Sequence, residues 1–170
     1  MTNLGIKTVT HKNWLHPDPL MHSLMMSDEE WVESILKPEL KNIVPLEIRK
    51  LFEVTRCSML YGYFFYPLFT LAYEQLLRVA ETAISKKCKQ ITVEKIGKNR
   101  LIDKLKYLKN TNNLTDEEFL QWNLLRELRN IASHPDQQTI LPPGVSLRFL
   151  SDISELINAL FSPKPTNLKS

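Results

Sequence analysis

Arg129, Asn130 and His134 place a fixed cation, an amide and a titratable ring close together, just before Pro135. On a helix Asn130 and His134 are four apart, as are Arg129 and Ser133, so each pair shares a side. This set suits chemistry at a phosphodiester. A guanidinium stays charged and meets phosphate oxygens with paired donors. An imidazole transfers protons near neutral pH. RNA cleavage without a metal needs the 2′-OH deprotonated, the phosphorane charge stabilised and the 5′-oxygen protonated. Arg129 would stabilise phosphate, His134 would serve as acid or base, and Asn130 would orient the ring or bind phosphate, with Ser133 in support. A purely structural reading stands beside this one. A His on the last turn of a helix is favoured by the helix dipole alone, and an Arg on a polar face is ordinary.

The element that must present these groups is a helix over 116–133. Thr115-Asp116-Glu117-Glu118 is the strongest cap in the chain, with Thr at the N-cap, three acids in the first turn and Glu118 at the capping-box position. Pro135 disfavours helical backbone at His134, so the ring belongs to the last, half-unwound turn. Leu120, Leu124, Leu128 and Ile131 recur at steps of four, four and three, which predicts one buried apolar face. Arg126, Arg129, Asn130, Ser133 and His134 fall on the opposite arc.

The pattern Arg129-Asn130-x-x-x-His134 resembles the R-x4-6-H motif of the HEPN superfamily, in which a polar residue often follows the Arg. The broader likeness, long amphipathic helices before the motif and one after it, covers roughly residues 46–161. It implies a small helical bundle and a metal-independent endoribonuclease of toxin or antiviral-defence type. The resemblance implies a dimer placing two motifs across one groove, which supplies two His and two Arg and yields a 2′,3′-cyclic phosphate. RNA and a second copy of the chain are then the partners, with an antitoxin or other protein as a further one. Other members are non-catalytic, so a dimerisation or partner- or nucleotide-binding module is the alternative. Some members keep an acidic residue on an earlier helix near the motif, and Glu74 or Glu81 could match it.

The composition fits an all-α domain. The 170 residues suffice for one core, 43% are apolar and only four are Gly. No Asn-Gly or Asp-Gly hairpin signal appears. Residues 1–44 read as an irregular arm plus a short helix, 45–162 as a bundle of about five helices, and 163–170 as a flexible tail. In the arm, His11, His16 and His22 are spaced by five and six, which suits neither a helix face nor a zinc finger. Trp14 and Leu15 are expected to pack this arm onto the domain. Ser27-Asp28-Glu29-Glu30 starts a short helix with Trp31, Val32, Ile35 and Leu36 on one face, ended by Pro38. A longer helix runs from near Pro45 to about Tyr61 with Ile48, Leu51, Phe52, Thr55 and Met59 inward, and Gly62–Tyr66 bends or breaks it.

The seventeen residues Cys57–Tyr73 carry no charge and lie at the lower edge of a membrane span. Gly62, Pro67 and four tyrosines favour the core of a bundle instead. Pro67 opens the next helix, running to about Lys87, with Phe69, Ala72, Leu76, Val79, Ala80, Ala83 and Ile84 as its core face. Its polar stripe, Glu74, Arg78, Glu81 and Ser85, is either a solvated face or a border to the Arg129–His134 site. Glu74 to Arg78 is a favourable ion-pair spacing.

From Lys86 to Lys109 nine cations stand against Glu94 and Asp103, a local +7 that leaves −4 for the rest of a chain whose net charge is +3. Such asymmetry is what phosphate binding needs, although a basic stretch is also commonly just solvated. Lys86, Lys87, Lys89, Lys98, Arg100 and Lys104 are the candidate RNA-binding residues. Ile91–Ile96 reads as a short extended piece, and Leu101, Ile102, Leu105 and Leu108 mark a helix ended by Asn110–Asn113. Ser146 is the expected cap of the last helix, with Leu147, Leu150, Ile153, Ile157, Leu160 and Phe161 on one side.

Cys57 and Cys88 form no CxxC pair and read as reduced thiols of a cytoplasmic protein. No basic-then-apolar leader opens the chain, and no phosphate loop, zinc-protease or serine-hydrolase motif is present. No metal or cofactor is expected.

Overall fold

The computed structural model describes residues 6–24, 26–92, 100–132 and 142–163. These form six α-helices: α1 Asp28–Leu36, α2 Leu46–Tyr61, α3 Leu68–Ile91, α4 Leu101–Asn110, α5 Asp116–Ala132 and α6 Pro143–Phe161, preceded by a 3-10 turn at Pro19–Leu24. No strand occurs among the described residues, so the fold is all-α, with the short helix expected within 1–44 and five helices within 45–162.

The longest helix, α3, is the centre, and α2, α4, α5 and α6 all pack on it. Its sequence explains why. Phe69, Ala72, Leu76, Val79, Ala83 and Cys88 have no exposed surface, and Tyr73, Leu77, Ala80 and Ile84 are also buried, so apolar residues occupy several sides. The alanines let neighbouring helices approach closely. Ile48, Phe52 and Met59 of α2 and Leu150, Ile153, Ile157 and Leu160 of α6 close the core, each large side chain contributing roughly 1.5–3 kcal/mol of burial. Among the described residues no helix is long and apolar enough to cross a membrane. The uncharged run Cys57–Tyr73 is instead the α2–α3 corner. Gly62 makes that corner possible, since a Cβ there would come 2.8 Å from the Phe69 ring.

The N-terminal segment corrects one expectation. Trp14 and Leu15 are 58% and 54% exposed, so they do not anchor it. Asp18 does. Its carboxylate is fully buried and accepts from the backbone N–H groups of Leu20 (3.1 Å) and Tyr66 (2.9 Å), while its own N–H donates to the Tyr63 carbonyl (2.8 Å). Buried backbone amides at the helix corner thereby gain a charged acceptor. Trp31 of α1 lies in the core, edge-on to Phe69 at 5.5 Å, with its indole N–H donating to the Leu60 carbonyl. Val32 and Leu36, expected on the same inner face, are largely exposed.

Two predicted caps form. Ser27 and Glu30 exchange side chain-to-backbone bonds at the start of α1. Thr115 and Glu118 do the same at α5, at 2.7 and 3.1 Å. Ser146 is not a cap. Pro142 and Pro143 start α6 earlier, and Ser146 is buried inside the helix with its hydroxyl on the Pro142 carbonyl. Ile91 ends α3 rather than starting an extended piece; residues 93–99 lie outside the described residues.

Candidate functional site

The orientation of α5 reverses the expectation for its apolar face. Leu120, Leu124 and Ile131 are 66%, 55% and 51% exposed, and Leu128 is half-buried. The helix buries Trp122 and Leu125 instead, against α3 and α4. At 100° per residue, Arg129 lies between those two on the wheel. It therefore points along the bundle-facing arc, not away from it. The helix has two apolar arcs, and the larger and flatter aromatic one won the interior.

Arg129 reaches α3 there. Its Nε lies 3.2 Å from Oε2 of Glu81. Of the polar stripe on α3, Glu81 is thus the member brought to the motif. Glu74, seven residues earlier, lies about 10 Å farther along the helix. No ion pair joins it to Arg78 among the described residues, and Arg78 is exposed. Glu81, Arg126, Arg129 and Asn130 border an open depression of about 380 Å³ together with Arg100, Leu101 and Ile102 at the start of α4. The positive end of the α4 dipole opens at the same place. Three guanidinium groups and one carboxylate line the recess, with Glu127 and Asp103 paired to two of the guanidiniums from outside the lining. Each is steadied locally. Arg126 Nε donates to Asn123 Oδ1 (2.9 Å) and its terminal nitrogen to Glu127 (3.1 Å), while Arg100 Nε meets Asp103 at 3.2 Å. Ser133 and His134 lie outside the described residues.

The described cations of the basic stretch do not form one face. Consecutive helix positions diverge by 100°, so a run in sequence is spread around α3. Lys86 pairs with Glu47 of α2, which holds that carboxyl below the usual range. Lys87 sits over the Phe161 ring at 5.6 Å, on the α6 side. Lys89 is exposed near the end of α3, and Lys98 lies outside the described residues. Lys109 pairs with Asp116 at 2.8 Å. Lys104 is a correction. It is only 6% exposed, and its Nζ donates to the Ser85 hydroxyl at 2.9 Å. A buried ammonium needs such a partner, and Lys104 ties α4 to α3 rather than facing a polyanion. Among the described cations of the stretch, Arg100, 84% exposed at its side chain, is the one that lines the recess.

Sequence reading did not single out the joint role of Arg100 and Arg126. The i, i+3 spacing of Arg126 and Arg129 was the signal for half of it; the approach of α4 is tertiary. Among the described residues, no three His, Cys, Asp or Glu side chains gather as a metal site would require. Comparison with family models, with curated proteins and with solved structures finds no match to this chain. The HEPN likeness accordingly rests on Arg129, Asn130, His134 and the helical context alone.

Proposed function

We propose that this chain is a metal-independent endoribonuclease of toxin or defence type that acts as a homodimer. One observation carries the reading. Arg126, Arg129 and Asn130 of α5 converge with Arg100 of α4 on a single open recess, and Glu81 grips the Arg129 guanidinium at its edge. A backbone phosphate seated there would meet paired N–H donors at its non-bridging oxygens, the geometry that favours developing phosphorane charge. The His134 imidazole, a few residues on, would take the 2′-OH proton. The 2′-oxygen then attacks phosphorus and the bond from phosphorus to the 5′-oxygen breaks. The leaving oxygen takes a proton from the imidazolium of a second copy. The products are a 2′,3′-cyclic phosphate and a 5′-hydroxyl, so protons and bonds balance. Two copies are part of the reading because one imidazole does not easily serve as base and acid in one step.

The test is digestion of labelled single-stranded and loop RNA in EDTA by wild type, Arg129→Ala and His134→Ala, with product ends identified. Each variant should cleave at least about a hundredfold more slowly, the scale of a single acid/base or oxyanion-stabilising group. Equal cleavage by all three would mean another site. No cleavage of any RNA class by folded protein would leave the non-catalytic module as the reading.

A further inference from the structure

α5 and α6 both pack on α3, yet they flank it without packing closely on each other. The gap is a groove of about 360 Å³. Its floor is apolar, built from Leu125, Phe149, Ile153 and Leu156, and Ile153 has no exposed surface at all. Its lining runs from Glu118 to Leu125 along α5 and from Phe149 to Ala159 along α6. At 1.5 Å per residue those walls are about 10 and 15 Å long. An elongated trough of this length fits two to three turns of helix, with side chains at i, i+3 or i+4, and i+7 as anchors.

The charge at the rim selects the partner. Among the described residues, Glu118, Asp152 and Glu155 line the groove and no basic residue does, although the chain as a whole is +3. Glu118 is already engaged as the α5 cap, and Asp152 has a 3.7 Å contact with Arg148, which is not part of the lining. Asp152 and Glu155 follow each other along the α6 wall and are exposed. The recess bordered by Arg129 lies on the other flank of α5, toward α3 and α4, so this surface is separate from the proposed active site.

We propose that the α5–α6 groove is the docking site for a basic amphipathic helix of a partner protein, with apolar anchors over Leu125, Ile153 and Leu156 and Lys or Arg against Asp152 and Glu155. This does not depend on RNA cleavage.

The probe is a displayed library of randomised helical peptides about four turns long, selected against the full chain. Enriched sequences should be amphipathic with a basic rim, and their binding should weaken as salt rises. Asp152→Lys with Glu155→Lys, both on exposed positions, should weaken such a peptide at least about tenfold and improve binding of its acid-swapped version. Ala159→Trp, which fills the trough from an exposed position, should abolish binding with unfolding unchanged. Recovery of no binder, or of binders indifferent to both changes, overturns the proposal. So does loss of dimer in Ala159→Trp by light scattering, which would make a second copy the occupant. Binding that appears only after removal of residues 164–170 would assign the groove to the chain's own tail and overturn it too.

Discussion

Nε of Arg129 stands 3.2 Å from Oε2 of Glu81, joining α5 to α3 at the edge of the arginine-lined recess. The two side chains are 44% and 32% exposed. An ion pair so open to water is worth only about 0–1 kcal/mol. Its main consequence is where the guanidinium points. Glu81→Ala should therefore change unfolding in urea by less than about 1 kcal/mol. Cleavage should fall roughly ten- to a hundredfold, because a misplaced donor is costly at a reacting phosphate. A large stability loss with unchanged cleavage would make the pair a strut instead.

Arg100 and Lys104 sit four residues apart and differ in destination. Arg100 lines the recess, whereas the Lys104 ammonium is buried on Ser85. Arg100→Glu should weaken RNA binding and flatten its dependence on salt by about one unit of log slope. Lys104→Met should leave that slope alone and act on stability, by leaving the Ser85 hydroxyl without its partner, roughly 1–3 kcal/mol. Filter binding across a salt series and urea unfolding separate the two. An equal salt effect from both would contradict the buried position of Lys104.

Local signals were legible where the local chemistry decides the outcome. Ser27 and Thr115 form the capping boxes that their Glu partners three residues on advertise. The core stripes of α2, α3 and α6 follow their apolar spacing. The failures are tertiary. Period alone marks Leu120, Leu124 and Ile131 as a face and cannot tell whether anything covers it. Trp122 and Leu125 offered a competing arc, and α3 and α4 selected that one. The same applies to Lys104, whose burial depends on Ser85 arriving from another helix. Asp18 was missed because a single Asp between Pro17 and Pro19 looks like any turn. At the site, the pairing of Arg129 with Glu81 rather than Glu74 needed the register of α5 against α3.

Cys88 gives the fold a pH signature. It has no exposed surface, and burial pushes its thiol up to about 11. The folded value lies above that of an unfolded Cys, ordinarily about 8.5. The unfolded chain thus loses its proton first as pH rises. The contribution is fully present below the unfolded value, and stability falls between there and about 11. Urea unfolding at pH 7 and pH 10 should show a decline for wild type that is shallower by up to roughly 2 kcal/mol in Cys88→Ala. In folded protein at pH 8, exposed Cys57 should react with a thiol reagent and Cys88 should not. Parallel pH curves for the two proteins would contradict the buried thiol.

Exposed apolar side chains occur on several helices, Val54 and Tyr61 on α2 and Leu71 on α3 among them, and on α5 they form a stripe. Of the aromatic residues from Tyr61 to Tyr73, Tyr61 is exposed, Tyr63, Phe64, Phe65 and Tyr66 are half-buried, and Phe69 and Tyr73 are buried. Leu120, Leu124 and Ile131 project within about 40° of one another on the wheel; Leu124 also lines the α5–α6 groove, so Leu120 and Ile131 are the positions that belong to this stripe alone. Three large apolar side chains in one outward stripe exceed the scattered exposure that a monomer tolerates without consequence. Ile131 is also the neighbour in sequence of Asn130. A two-fold axis parallel to α5 across this stripe would set the C-terminal ends of two α5 helices side by side, with each Arg129, about 180° from Leu120 on the wheel, turned toward α3 and α4 of its own copy. Leu120→Glu with Ile131→Glu should therefore convert a dimer to a monomer by light scattering at micromolar concentration. Both positions face water in the single chain, so helix content by circular dichroism should be unchanged, and any fall in unfolding stability should be the part that depended on protein concentration. RNA cleavage should be lost with the dimer, although Arg129 and His134 are untouched. A wild-type chain that is monomeric, or a double variant that still pairs and cleaves, would place the second imidazole elsewhere and remove the homodimer from the mechanism.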